Sequence, residues 1–262
     1  MPKQRVRLAA NLADRFAAHL IGVSALAIPP PIVANGMVLS DTTDVDIELM
    51  KAGLTEKGDW FRRLAGVDRH MLEWRQGLDF PLEVVSREAR SADLVILGQV
   101  SKWESAYRTL DPGRAILKMG RPALVVPKAV SSVKADHIVI GWKDTREARR
   151  AVRDALPFLQ RAVRVTLVGA CEPDEELAAA TGQLDDVTHY LRRHDIRIKG
   201  SAKVVLLREK SGAKQLIEVA QDEGADLLVT GAYGHSRFGE WIFGGMTRDL
   251  ITTSPICCFM SH

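Results

Sequence analysis

The chain has 262 residues, 46% of them hydrophobic and 26% charged, which is enough for two cores of ordinary domain size and too polar for a bundle of membrane spans. Its net charge of +3 is spread along the chain, and no block of Lys and Arg with interleaved aromatics marks a nucleic-acid surface. Three cysteines, Cys171, Cys257 and Cys258, fit neither a disulfide framework nor a metal-ligand spacing, and nothing near the start resembles a signal peptide, so the expected compartment is the cytoplasm.

The apolar stretch from His19 to Leu39 is interrupted by Pro29-Pro30-Pro31 and cannot be one spanning helix; its first part, His19 to Ala25, reads as a strand. Ser91 to Gly98 reads as strand, Arg114 opens a helix, and Pro122 to Val126 closes with a strand. Pro127 to Val133 is a short linker, since its proline cannot continue a strand ladder. Beyond it, strands at 137–141, 164–170, 201–207, 226–231 and 256–260 alternate with helices at 146–159, 175–194, 211–223 and 246–253. That alternation predicts an α/β fold with a parallel, doubly wound sheet of order 3-2-1-4-5. Trp60, Trp74 and Trp103 are scattered and read as packing residues, and the histidines show no metal-binding spacing.

The two halves repeat. Ser91-Ala-Asp-Leu-Val-Ile-Leu-Gly98 falls on Gly224-Ala-Asp-Leu-Leu-Val-Thr-Gly231 at a shift of 133 residues, and the match runs on without a gap to place Pro122 on Pro255. This predicts two tandem domains, 1–127 and 134–262. Setting His19 to Ala25 on Val165 to Cys171 needs a shift of 146, which puts the partner of strand 137–141 before residue 1. The first copy therefore lacks its first strand, a central one in this order, and the sequence points to a start further upstream or a truncated form, with a strand donated from elsewhere as the other reading.

In the second copy the run Asp226 to Thr230 leads into Gly231-Ala-Tyr-Gly234-His-Ser-Arg-Phe-Gly-Glu-Trp-Ile-Phe-Gly244-Gly245-Met246-Thr247 and then a helix. A strand, a glycine-studded loop and a helix start form an anion site: glycines permit close backbone approach and positive φ, and free N–H groups meet the positive end of the helix dipole. This spacing, G-x2-G-x9-G with Thr247 behind it, resembles the nucleotide loop of the universal stress protein family, and the resemblance extends over nearly the whole chain. At the shift of 133, Gly234 meets Ser101, Gly244 meets Asp111 and Gly245 meets Pro112, so the first copy is expected to be degenerate, a packing or regulatory half.

The resemblance implies that ATP or a related adenine nucleotide, carried with Mg, binds the second copy. Gly141, Trp142, Lys143, Asp144 and Thr145 after the first strand, with Ala170, would flank adenine and ribose. Thr230, Gly231 and Gly234 would line ribose and phosphates, and Gly244, Gly245, Met246 and Thr247 would hold phosphate oxygens. Two positions depart from the family pattern: Lys143 stands where an acid is common, and Gly245 where a hydroxyl is common. His235 and Arg237 lie in the loop, and Trp241-Ile242-Phe243 form an apolar knot. The implied role is binding and signalling toward an unknown protein partner, with at most slow ATP hydrolysis, as a homodimer or a pseudo-dimer of tandem halves. The competing reading is an interaction module without nucleotide, in which Gly231 and Gly234 make a turn and Gly244-Gly245 lets the last helix pack closely. No P-loop, G-x-G-x-x-G or G-x-S-x-G motif points to other chemistry.

Overall fold

The computed structural model describes residues 3–66, 71–99, 105–171, 177–196, 203–206, 212–234 and 245–262. The first half runs α1 (Lys3–Phe16), β1 (Leu20–Ala25), β2 (Ile32–Ala34), β3 (Met37–Ser40), α2 (Asp44–Ala65), β4 (Leu72–Gly77), α3 (Pro81–Glu88), β5 (Val95–Gly98), α4 (Pro112–Met119) and β6 (Ala123–Val126). The second runs β7 (His137–Trp142), α5 (Arg146–Asp154), α6 (Leu156–Leu159), β8 (Arg164–Cys171), α7 (Leu177–Arg193), β9 (Lys203–Leu206), α8 (Gly212–Asp222), β10 (Leu227–Gly231), α9 (Gly245–Thr253) and β11 (Cys257–Ser261).

Local chemistry explains the element ends. Thr43 and Asp46 form a capping box on α2, the hydroxyl accepting from Asp46 N–H while the carboxylate accepts from Thr43 N–H. Asp111 caps α4, its carboxylate accepting from the N–H groups of Gly113 and Arg114, and Pro112 takes the first helical position, where no donor is missed. Left-handed Gly120, φ 62°, closes that helix. The single helix expected over 146–159 is two pieces, because Pro157 cannot donate to the carbonyl one turn back and the ladder breaks before it.

One sheet of seven strands holds the order β5-β6-β11-β10-β7-β8-β9. Its β11-β10-β7-β8-β9 part is all parallel and reproduces the order 3-2-1-4-5 expected of a doubly wound unit. The halves meet where β6 runs antiparallel to β11, with Cys258 opposite Val125, Phe259 opposite Leu124 and Met260 opposite Ala123. Strand alternation then divides the core. Ile138, Ile140, Leu167, Leu124 and Phe259 face one layer with α1, α5, α6 and α7, whereas Val139, Val168, Val125, Leu228 and Met260 face the other with α4, α8 and α9. Rings of Phe16 and Phe158 (centroids 4.7 Å apart) and of Phe158 and Phe259 (5.7 Å) tie α1 to the second half.

The strands β1 and β4 form a separate parallel pair. Beneath it, Val6, Ala10, Phe61 and Ala65 pack with Trp60 and Trp74, as expected of those tryptophans, while Trp103 lies outside the described residues. The strands β1 and β5 do not pair with each other among the described residues. The hairpin β2–β3 was not legible as such from the proline-interrupted run; its turn, Asn35-Gly36, takes φ values of 51° and 76°. No described helix is long and apolar enough to cross a membrane.

Candidate functional site

The carboxyl ends of β7 and β10 lie side by side, with Gly141 opposite Thr230, at the point where the sheet order reverses. Thr145 begins α5 just beyond β7, its hydroxyl accepting from Ala148 N–H at 3.3 Å. Ala170 sits one strand out, on β8, beside Val205 of β9. Gly245 and Met246 open α9, and Thr247 follows in its first turn. The fold thus gathers Gly141 to Thr145, Thr230, Gly231 and Gly234 near one sheet end. Gly244, His235, Arg237 and the apolar knot 241–243 lie outside the described residues.

Each glycine has a different reason to be glycine. A Cβ on Gly231 would lie 2.6 Å from Ala148 N and 2.7 Å from the Glu147 carbonyl carbon, so the first turn of α5 occupies the close-approach space. At Gly234 a Cβ would meet Glu147 Oε2 at 2.9 Å and Thr145 Oγ1 at 3.1 Å. Gly141 presses on Leu216 of α8. Neither Gly231 nor Gly234 adopts positive φ; among the described residues of this loop the left-handed one is Tyr233, φ 62°, which corrects the expectation that these two glycines supply that conformation. Among the described residues Gly245 differs from these: a Cβ there would meet none of them within 4 Å, at the amino end of a nine-residue helix.

The buried carboxylate of Glu147, 3% exposed, was not among the residues expected at this site. Burial alone would raise its pKa, but hydrogen bonds from Arg146, its own backbone N–H and Thr145, together with the Arg146 charge, hold the carboxyl below the usual range. An acid in a helix's first turn is ordinary in sequence, so only its placement against Gly231 and Gly234 reveals it. Asp144 pairs with Arg149, accepting from Nη2 at 2.6 Å, while Trp142 turns into the core with its indole N–H unpaired among the described groups. Thr247 Oγ1 accepts from Tyr233 N–H at 3.1 Å, which leaves the hydroxyl proton available as a donor. No group of three or more His, Cys, Asp or Glu side chains suited to a metal occurs among the described residues.

In the first copy the corresponding helix start is closed from within. Asp111 already satisfies the first N–H groups of α4, and the Tyr233 hydroxyl comes from the second half to lie against Gly113. Burial, then the nearby Asp111 charge, pushes the Tyr233 phenol up to about 12, so it stays a neutral O–H.

Known proteins bear on this arrangement in three ways. Residues 143–261 match the model of the Universal stress protein family. Universal stress protein Slr1230 of Synechocystis sp. is 21% identical over 201 residues, spanning 74% of this chain and 67% of that protein. A universal stress protein from Archaeoglobus fulgidus shares the fold over 98% of this chain and 92% of its own, at TM-score 0.71 and 12% identity. The likeness to that family thus rests on residues 143–261, and the fold is shared along nearly the whole chain.

Proposed function

We propose that the second half binds an adenine nucleotide, ATP in the first instance, and reports its occupancy to a protein partner in the cytoplasm as a stress-response module. The observation that carries this reading is the amino end of α9, where Gly245 faces open space, beside the donor hydroxyl of Thr247 and at the reversal point between β7 and β10. Phosphate oxygens would take the Gly245 to Thr247 amides and that hydroxyl, and base and ribose would lie toward Gly141 to Thr145 and Ala170. Glu147 bears negative charge close to Gly234, so the phosphates favour the side of α9; a Mg ion, if used, would arrive bound to them. The role is binding, with hydrolysis at most slow, since we assign no general base.

Native mass spectrometry of protein purified without added nucleotide, followed by ATP titration of the wild type and Gly245→Asp, tests it. A carboxylate at the helix start opposes phosphate, and no described residue packs on Gly245, so affinity should fall at least tenfold while the thermal midpoint holds. Equal affinity for both proteins rejects the site. One observation favours the second reading, an interaction module without nucleotide: protein already fills the space above Gly231 and Gly234. A well-folded protein that takes up no ATP selects it.

A further inference from the structure

From Leu20 to Ser40 the chain carries no charged residue, and from Ile28 to Leu39 every residue is exposed. A long apolar run left in water departs from ordinary surface composition and marks a place that something covers. The run folds as the hairpin β2–β3, whose strands pair only with each other among the described residues. Its five large apolar side chains, Ile32, Val33, Met37, Val38 and Leu39, are 57% to 64% exposed. They occupy both faces of the ribbon, since Val33 stands opposite Val38 and the next residue, Ala34, opposite Met37. A two-stranded ribbon is marginal in water and gains stability from further strands or an apolar floor.

The two edges of the ribbon differ. Prolines 29 to 31 lead into β2, and its register shifts between Ile32 and Val33, so that edge is blunted. The β3 edge, Met37 to Ser40, has neither a proline nor a charge, the devices by which sheet edges are normally kept from pairing. Helix α2 follows and adds to the apolar surface. It buries Leu54, Gly58, Phe61 and Ala65 along one side, while Val45 and Leu49, a turn apart on the opposite side, are 69% and 66% exposed. The Thr42 hydroxyl, just ahead of α2, donates to the Pro29 carbonyl at 3.3 Å and ties the helix start to the base of the hairpin.

We propose that this hairpin is a contact between two copies of the chain, in which the β3 edges pair antiparallel about a two-fold axis and each ribbon rests by one face on the Val45–Leu49 side of α2 in the second copy. A strand set antiparallel to itself is what a two-fold axis generates, so one surface both gives and receives, and two ribbons become a four-stranded sheet. The seven side chains present on the order of 800 Å², the area that each partner of a stable interface buries. No charge between Leu20 and Ser40 calls for an oppositely charged partner. The β11 edge cannot serve in its place, because β6 of the same chain already pairs with it.

Sedimentation velocity over a micromolar concentration series tests it on the full chain, on Val38→Lys and on Leu49→Glu. Hydrogen exchange is followed in parallel at 37–40, with 227–231 reporting that the fold is intact. The wild type is expected to dimerise and to exchange more slowly at 37–40 as concentration rises. Each variant should weaken the dimer at least tenfold while exchange at 227–231 is unchanged. A wild type that is monomeric at every concentration overturns the proposal, as does a dimer that both variants keep with 37–40 unprotected. A monomer that binds phosphatidylcholine vesicles and loses that binding in Val38→Lys also overturns it, the cover then being a lipid surface.

Discussion

Among single residues, the glycines separate packing from binding. Gly231→Ala forces a Cβ into the backbone of α5, which cannot yield as a side chain can, and should destabilise by about 1–3 kcal/mol, read as a lower urea midpoint. Gly234→Ala meets chiefly the Glu147 carboxylate and Thr145 side chain, which can swing aside, and Gly245→Ala meets no described residue, so both should keep the midpoint within about 0.5 kcal/mol. Glu147 gives a pH signature. Its folded pKa lies below the ordinary 4.5, so its contribution is complete above that pH and is lost as pH falls through the folded value. Glu147→Gln should flatten the acid limb of a stability-against-pH curve below pH 4.5, and an unchanged limb would deny the carboxylate that role.

For the elements, most strand and helix positions were readable because the buried strands are short apolar runs and three helices carry side-chain caps, Thr43 on α2, Asp111 on α4 and Thr145 on α5. What escaped has physical causes. The break before Pro157 lay inside an apolar pattern that continues across it, and the hairpin β2–β3 has Ile32, Val33, Met37, Val38 and Leu39 all exposed, so no alternation of buried and exposed faces announces it. The Asn35-Gly36 turn was its one legible signal. At the candidate site, glycine spacing pointed to the carboxyl end of β10, yet sequence could not tell that α5 fills the space over two of the glycines, since that depends on how far its first turn advances. Thr145→Ala removes the cap of α5 and should lower stability by about 1 kcal/mol in chemical denaturation.

Across the whole molecule, the sequence repeat said nothing of how β6 meets β11, because the apolar runs of those strands carry no mark of direction. The antiparallel seam buries Ala123 to Val126 against Cys257 to Met260. Residues 134–262 expressed alone would bare β11 along its edge, and light scattering should find a dimer; a stable monomer would mean that the seam contributes little. Burial also lifts the Cys257 and Cys258 thiols to about 12, so in a Cys171→Ser background neither should react with a thiol reagent at neutral pH until the seam opens.

Tyr233 spans that seam, its hydroxyl resting where any side chain at position 113 would have to go. The two positions are 120 apart in sequence and belong to different copies, yet Gly113 cannot gain a side chain unless the Tyr233 hydroxyl moves. Across relatives that keep both halves, a bulkier residue at the place of Gly113 should be inherited together with a smaller one at the place of Tyr233, a paired history that no comparison of one half at a time would disclose.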